Sequence, residues 1–340
     1  MEVIIGLIII AIGSFCQSSS YVPINKVKDW SWESFWLTQG VFAWIIFPLL
    51  GALLAVPNGS SLGAILTADT DAAGKAIFYG VLWGVGGLTF GLSMRYLGVA
   101  LGQSIALGTC AGFGTLFPAI FAGTDLFHGQ GLILLIGVCI TLAGIAVIGF
   151  AGSLRAKNMT EEEKKAAIKD FALTKGLLVA LLAGVMSACF ALGLDAGKPL
   201  SIEGVNPLFE TLPATFMVTI GGFITNAIYC LYQNAKNHTF SDYCKTNVLT
   251  NNILFCALAG VLWYCQFFGL GLGKAFFEPN SIIMAFSWCI LMALNVTFSN
   301  VWGIILKEWK GCNQKTISVL VAGLLILVFS LIFPNLPQLI

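Results

Sequence analysis

Run length constrains this chain most: its apolar residues come in long stretches with almost no charge inside them. A helix needs roughly 20 residues to cross ~30 Å of hydrocarbon. Ten segments meet that length, at approximately 3–22, 35–56, 73–94, 97–123, 130–152, 174–197, 208–233, 250–272, 280–306 and 315–335. None of the 17 lysines and arginines or 16 aspartates and glutamates falls in the middle of one. Composition agrees, with 10% charged residues against about 25% in a soluble protein. Backbone polar groups in hydrocarbon must be satisfied within the segment, so the expected fold is an all-α integral membrane protein with ten transmembrane helices. The first span has no small-residue cleavage site after a short apolar core and is read as retained.

Lysine and arginine set the expected orientation. When loops and chain ends are numbered alternately, one set holds fourteen of the 17, and the other holds Lys75, Lys198 and Lys274. The basic side is expected to be cytoplasmic, which leaves both termini outside the cytoplasm. In "YVPINKVKDWSWESFW" (21–36), Lys26 and Lys28 then act as topology anchors. Trp30, Trp32 and Trp36 suit the membrane interface, where an indole keeps its one polar handle wet. The longest polar connection, "NMTEEEKKAAIKD" (158–170), has Thr160 followed by Glu163, the spacing of a capping box, and predicts a short surface helix.

That connection divides the chain into a first unit of residues 1–152, a connector of 153–173 and a second unit of 174–340. Five spans on each side mean that the second half enters the membrane with the opposite sense, the arrangement of inverted-repeat transporters. "GVLW" occurs at 80–83 in the third span and again at 260–263 in the eighth, the third span of each half, and Gly91 and Gly271 keep the same offset. Gly80, Gly84, Gly87 and Gly91 recur on one helical face, where small residues let a neighbouring helix approach closely.

The 21–36 stretch carries Tyr21, Pro23, Lys26, Val27, Lys28, Trp30, Ser31, Trp32, Glu33 and Trp36. Together with "LWGVGGLTFGLSMRYLG" (82–98), "LWYCQFF" (262–268) and "GIILKEW" (303–309), it resembles the L-rhamnose–proton symporter family of the drug/metabolite transporter superfamily. The resemblance implies a ten-helix protein of the bacterial cytoplasmic membrane, built from two inverted five-helix repeats. It also implies import of a deoxy sugar with a proton by alternating access.

A neutral hexose offers hydroxyls and one apolar ring face, so its site needs amides or hydroxyls beside an aromatic platform. Candidates within the spans are Gln17, Gln39, Trp83, Gln103, Tyr264, Gln266, Trp288 and Asn295. Each could instead glue one helix to another, but together they point to a polar cavity. Gln17, Trp83, Tyr264, Gln266 and Asn295 lie deeper than Gln39 on this span map and are the expected substrate-binding residues. Proton coupling needs a titratable group, usually an intramembrane carboxylate or histidine. The two histidines fall in loops, leaving Glu210 first, Asp195 second and Glu278 third. Asp195 also reads as an i, i+3 partner of Lys198, and Glu210 as a first-turn acid facing a helix dipole. Arg95 is either a topology anchor or the partner of Glu33 in an inner gate.

Ten cysteines are scattered without CxxC or Cys/His spacing and read as small apolar fillers. No phosphate-binding loop accompanies them, and a net charge of +1 gives no nucleic-acid footprint. The expected partners are a small neutral sugar, a proton and the lipid bilayer, with no cofactor and no metal. Three alternatives have different signatures. An exporter on the same scaffold would carry a greasier cavity, a sodium-coupled symporter would change only the ion, and an intramembrane enzyme would need a catalytic cluster that the chain does not display.

Overall fold

The computed structural model describes residues 2–24, 26–97, 99–157, 173–200, 203–307 and 309–335. Among them every regular element is helical, and ten helices are long and apolar enough to cross a membrane. They are α1 (Glu2–Ser19), α2 (Trp32–Leu53), α3 (Thr70–Leu97), α4 (Val99–Phe121), α5 (Gly129–Lys157), α6 (Leu173–Ala196), α7 (Leu212–Asn237), α8 (Thr246–Lys274), α9 (Ile282–Ile305) and α10 (Gln314–Ile332). Each matches one expected span. Thr160, Glu163 and residues 158–172 of the connector lie outside the described residues.

The helices gather into two compact units, each drawn from both halves of the sequence. The first comprises Met1–Gly84 with Leu192–Phe276, and the second Val85–Ala191 with Phe277–Ile340. α3 and α6 contribute residues to both.

In the first unit, glycine sets how close the helices come. A Cβ at Gly13 of α1 would stand 2.5 Å from Cys265 O of α8, and one at Gly273 of α8 would stand 2.7 Å from Gly6 O of α1. α1 accordingly turns Gly6, Ile10 and Gly13 inward while Ile4, Ile8 and Ile12 point out and are exposed. α3 meets α7 in the same way: a Cβ at Gly80 would run into Val218 O, and one at Gly221 into Ile77 O. The glycine face of α3 is therefore half as long as its sequence suggests. Gly80 and Gly84 press on α7, whereas no described atom lies within 4 Å of a Cβ built at Gly87 or Gly91.

α2 is not a uniform helix. Val41–Ile46 is a π-helical turn, in which the Phe47 amide bonds to Phe42 O, five residues back. Pro48 follows at once. Proline has no N–H to give, and its ring crowds the carbonyl four residues earlier, so the turn before it widens. Such π turns concentrate at functional positions.

In the second unit α5 packs along α10, with Gly144 against Leu327 and Gly323 against Ile148. α9 is deeply buried, and its Trp288 stacks on Phe190 with ring centroids 5.9 Å apart. The Trp288 Nε1–H donates to Cys110 O at 3.2 Å. Cys110, Cys189, Cys230, Cys256 and Cys289 are buried among packed helices, the filler role expected of them.

Because Gly221 has no room for a side chain, Gly221→Leu should destabilise the protein by about 2 kcal/mol or more through overpacking. Gly74→Leu, where the added Cβ meets nothing within 4 Å, should leave stability unchanged. Thermal unfolding of the two variants in detergent reads the difference.

Candidate functional site

Polar and aromatic groups of the first unit collect in two places, and the 21–36 stretch and helix α2 supply part of each. The first is a strap formed by residues 26–34, held down by the α7–α8 connection and the ends of those helices. Backbone groups of the strap are captured one by one. The Lys28 amide donates to Asn252 Oδ1 at 3.0 Å, Asn252 Nδ2 donates back to Lys28 O at 2.7 Å, and Asn251 Nδ2 donates to Lys26 O at 3.0 Å. The Ser31 amide donates to Asp242 Oδ2 at 2.8 Å, and Lys245 Nζ donates to Asp29 O at 2.5 Å. Asp29 itself sits at φ 55°, a left-handed conformation that turns its carbonyl to the lysine.

The side chains complete the seal. Glu33 is 6% exposed, and its Oε1 accepts from Asn237 Nδ2 and from Thr239 Oγ1, both at 2.9 Å. Ser34 Oγ donates to Asn234 Oδ1 at 2.9 Å. Trp30 packs edge-on against Tyr243 at 5.6 Å, and Trp36 Nε1 donates to Asn226 Oδ1 at 2.9 Å. Trp32 is 51% exposed and stacked on Trp36, whereas Trp30 and Trp36 are half-buried. Asp242 anchors the arrangement. Burial disfavours its charged form, but the Lys245 ammonium at 2.7 Å and the Ser31 amide outweigh that cost and hold its pKa to about 2.

The second place is a cluster of indoles deeper along α2. The π turn directs Trp44 across Gly40, and Trp44 meets Trp83 of α3 at 6.0 Å and Trp263 of α8 at 5.9 Å, both nearly perpendicular. Trp83 and Trp263 lie 5.7 Å apart and are half-buried, whereas Trp44 is 4% exposed. Trp83 rests on Gly222 of α7, and Gly260 of α8 is pressed against Phe42 and Gln39 O of α2. Among the described residues Trp44 Nε1, Gln39 Oε1 and Tyr264 Oη are buried with no hydrogen-bond partner. An unpaired polar atom in such surroundings costs about 1–3 kcal/mol.

The structure thus brings Trp83, Tyr264 and Gln266 into the first unit on α3 and α8, with Gln266 Nε2 donating to Trp263 O at 3.1 Å. Gln17 is half-buried on α1, where Ser18 donates to it at 3.4 Å. Asn295 belongs to the second unit, buried on α9. Trp44 and Trp263 of this cluster were not singled out by residue type alone, and Gln39, placed behind five other candidates, is 4% exposed. The repeated GVLW and the proline after Trp44 were the available signals.

The carboxylate candidates sit at or beside helix ends. Asp195 ion-pairs with Lys198, as its spacing allows. Glu210 is exposed at the turn before α7, and Glu278, in the second unit, is exposed before α9. Arg95 lies on α3, with its side chain outside the described part of the structure. A cavity of about 660 Å³ lies between α4 and α5 in the second unit. Glycine, isoleucine, leucine and phenylalanine dominate its lining, and Phe113, Ile120 and Phe150 on its rim are exposed, as befits a groove open to hydrocarbon. It offers a polyol little to bond.

Ten helices long and apolar enough to cross a membrane, with indoles, amides and a phenol gathered in the first unit, are the frame of a multi-span membrane protein. The family model described as L-rhamnose-proton symport protein (RhaT) matches residues 1–336, and the chain belongs to that family. It is 34% identical to the L-rhamnose-proton symporters of Yersinia pestis (strain Pestoides F) and of Yersinia pseudotuberculosis serotype O:1b (strain IP 31758), with 96% of each chain covered in both comparisons.

Asp242 gives the strap a distinctive pH dependence. Its depressed pKa contributes about 2 kcal/mol that is fully present above pH ~4, the usual aspartate range, and is lost as pH falls toward 2. Asp242→Asn should therefore loosen the strap at pH 7. The measurement is limited trypsin digestion, in which cleavage after Lys26 and Lys28 should be faster in the variant than in the wild type.

Proposed function

We propose that this protein is a secondary active transporter that imports L-rhamnose, or a related 6-deoxy sugar, together with a proton by alternating access. Family membership over residues 1–336 carries this reading, and the printed names of relatives covering 96% of the chain agree with it. The indole cluster supplies the aromatic surface that a sugar ring face requires, and the buried amide and phenol groups supply hydrogen bonds. Gln17, Trp83, Tyr264, Gln266 and Asn295 are proposed as substrate-binding residues on those chemical grounds. The greasy groove at α4 and α5, which resembles an exporter's pocket, has an exposed rim that suits lipid better.

The proposed location is the bacterial cytoplasmic membrane, with both termini on its outer side and the strap on the cytoplasmic side, following the lysine bias. The proposed architecture is two inverted five-helix repeats, 1–152 and 174–340, joined by the 153–173 connector. The GVLW repeat supports it. Gly80 is pressed on α7, the second helix of the second half, while Gly260 is pressed on α2, the second helix of the first half. Trp83 and Trp263, the last residues of the two copies, meet each other at 5.7 Å. A two-fold relation between the halves would produce this exchange of partners.

Glu210 and Asp195 are proposed as proton-coupling carboxylates, each becoming desolvated in another transport state. Glu33 and Arg95 are proposed as an inner gate, with Glu33 held by Asn237 and Thr239 in the present state.

Uptake of radiolabelled L-rhamnose into proteoliposomes tests the reading. Accumulation should follow an inward proton gradient and should be absent with a sodium gradient alone. Sodium-driven accumulation would replace the ion, and no uptake by folded protein under any gradient would overturn the reading. Glu210→Gln should abolish gradient-driven accumulation while leaving rhamnose exchange intact; unimpaired accumulation would exclude Glu210 as the carrier.

A further inference from the structure

We propose that the π-helical turn of α2 is the recognition element of the transporter, with Trp44 Nε1 donating a hydrogen bond to, and Gln39 Oε1 accepting one from, hydroxyls of the transported solute. This rests on the sugar-transport reading above and adds two residues and a moving part to it.

Three observations converge on this turn. Trp44 and Gln39 are each 4% exposed, and both present a polar atom with no hydrogen-bond partner among the described residues. Nearby polar groups on α2 and α7 are satisfied: Trp36 Nε1 is bonded to Asn226 and Thr38 Oγ1 to Ser34 O. Edge-on packing of Trp44 against Trp83 and Trp263 stabilises the rings but gives Nε1 no oxygen or nitrogen acceptor. One buried donor therefore stands against two half-buried indoles, and one buried acceptor lies five residues before it on the same helix. A hydroxylated ring with one apolar face matches that combination, since its C–H face lies on an indole while its hydroxyls both accept and donate. An ion or a purely apolar solute would leave one part of the site unused.

The turn also provides a means of reaching these atoms, which are shut off from the surface here. A π-helical turn ending at Pro48 has a widened hydrogen-bond pattern, and rewinding it to α-geometry would rotate Trp44 relative to Gln39. Gly40 and Gly260 have no side chains to obstruct that rotation. α2 is a discontinuous helix in this sense, and transporter sites favour discontinuous helices at the meeting of repeats.

The test is L-rhamnose uptake kinetics in proteoliposomes for the wild type, Trp44→Phe, Gln39→Met and the control Trp32→Phe. Trp44→Phe keeps an aromatic ring and removes only the donor. It should raise KM about fivefold to tenfold, the usual effect of one net hydrogen bond, and Trp32→Phe should leave KM unchanged. A set of L-rhamnose analogues, each lacking one ring hydroxyl, separates contact from packing. If Trp44 touches the solute, its substitution should cost nothing further for the one analogue that lacks the partner hydroxyl. An equal rise in KM for every analogue, or no rise for either variant, would overturn the proposal. If Trp44→Phe does not reconstitute, Gln39→Met carries the test by the same criterion. Wild-type protein that takes up no L-rhamnose would instead remove the reading on which the proposal rests, a result distinct from active wild type with indifferent variants.

Discussion

Helices in hydrocarbon gain nothing from burying leucine against leucine, because lipid is just as apolar; they associate where their backbones can come close. The first unit depends on that constraint. Gly13 and Gly273 bring α1 against α8, Gly80 and Gly221 bring α3 against α7, and Gly260 brings α8 against α2. Large residues such as Ile4, Ile8 and Ile12 are displaced outward, the reverse of a soluble protein. Inside, the space not taken by backbone contact is left for indoles, amides and hydroxyls.

Those interior polar groups divide into satisfied and unsatisfied sets, and the division is informative. The anchors of the strap are satisfied: Glu33, Asp242, Asn234 and Asn252 have named partners at 2.7–3.0 Å, while Trp30 Nε1 is buried without one. A group held this way rigidifies its surroundings, which suits an element that must either stay closed or release as a whole. A few residues along α2, Gln39 and Trp44 have polar atoms with no such partner. A folded chain tolerates that cost where something else completes the site, as a solute does in a carrier.

The sequence showed the fold clearly because hydropathy over twenty residues is a strong signal, and all ten spans coincide with helices. It also showed that GVLW occurs twice, although not that its two tryptophans touch. A linear span map placed Gln39 behind five other candidates because it does not see that the fold buries it. Trp44 escaped notice for another reason: its environment is made by a π turn, and helical periodicity read at 3.6 residues misplaces every side chain beyond such a turn. Lys26, Lys28, Trp30 and Trp32 of the strap read as interface anchors because the groups that hold its backbone, Asn251, Asn252 and Asp242 at Lys26, Lys28 and Ser31, lie more than 200 residues away. Composition near the strap cannot reveal a pairing at that distance. Asp195 shows the opposite case, where the partner Lys198 is three residues on and the pairing was legible from spacing alone.

The most direct examination of this account is an experimental structure of the protein with L-rhamnose bound. The account predicts sugar density in the first unit, its apolar face on Trp83 or Trp263 and a hydroxyl within hydrogen-bond distance of Trp44 Nε1. Density at a different place, with Trp44 still packed edge-on against Trp83 and Trp263 as it is here, would contradict it.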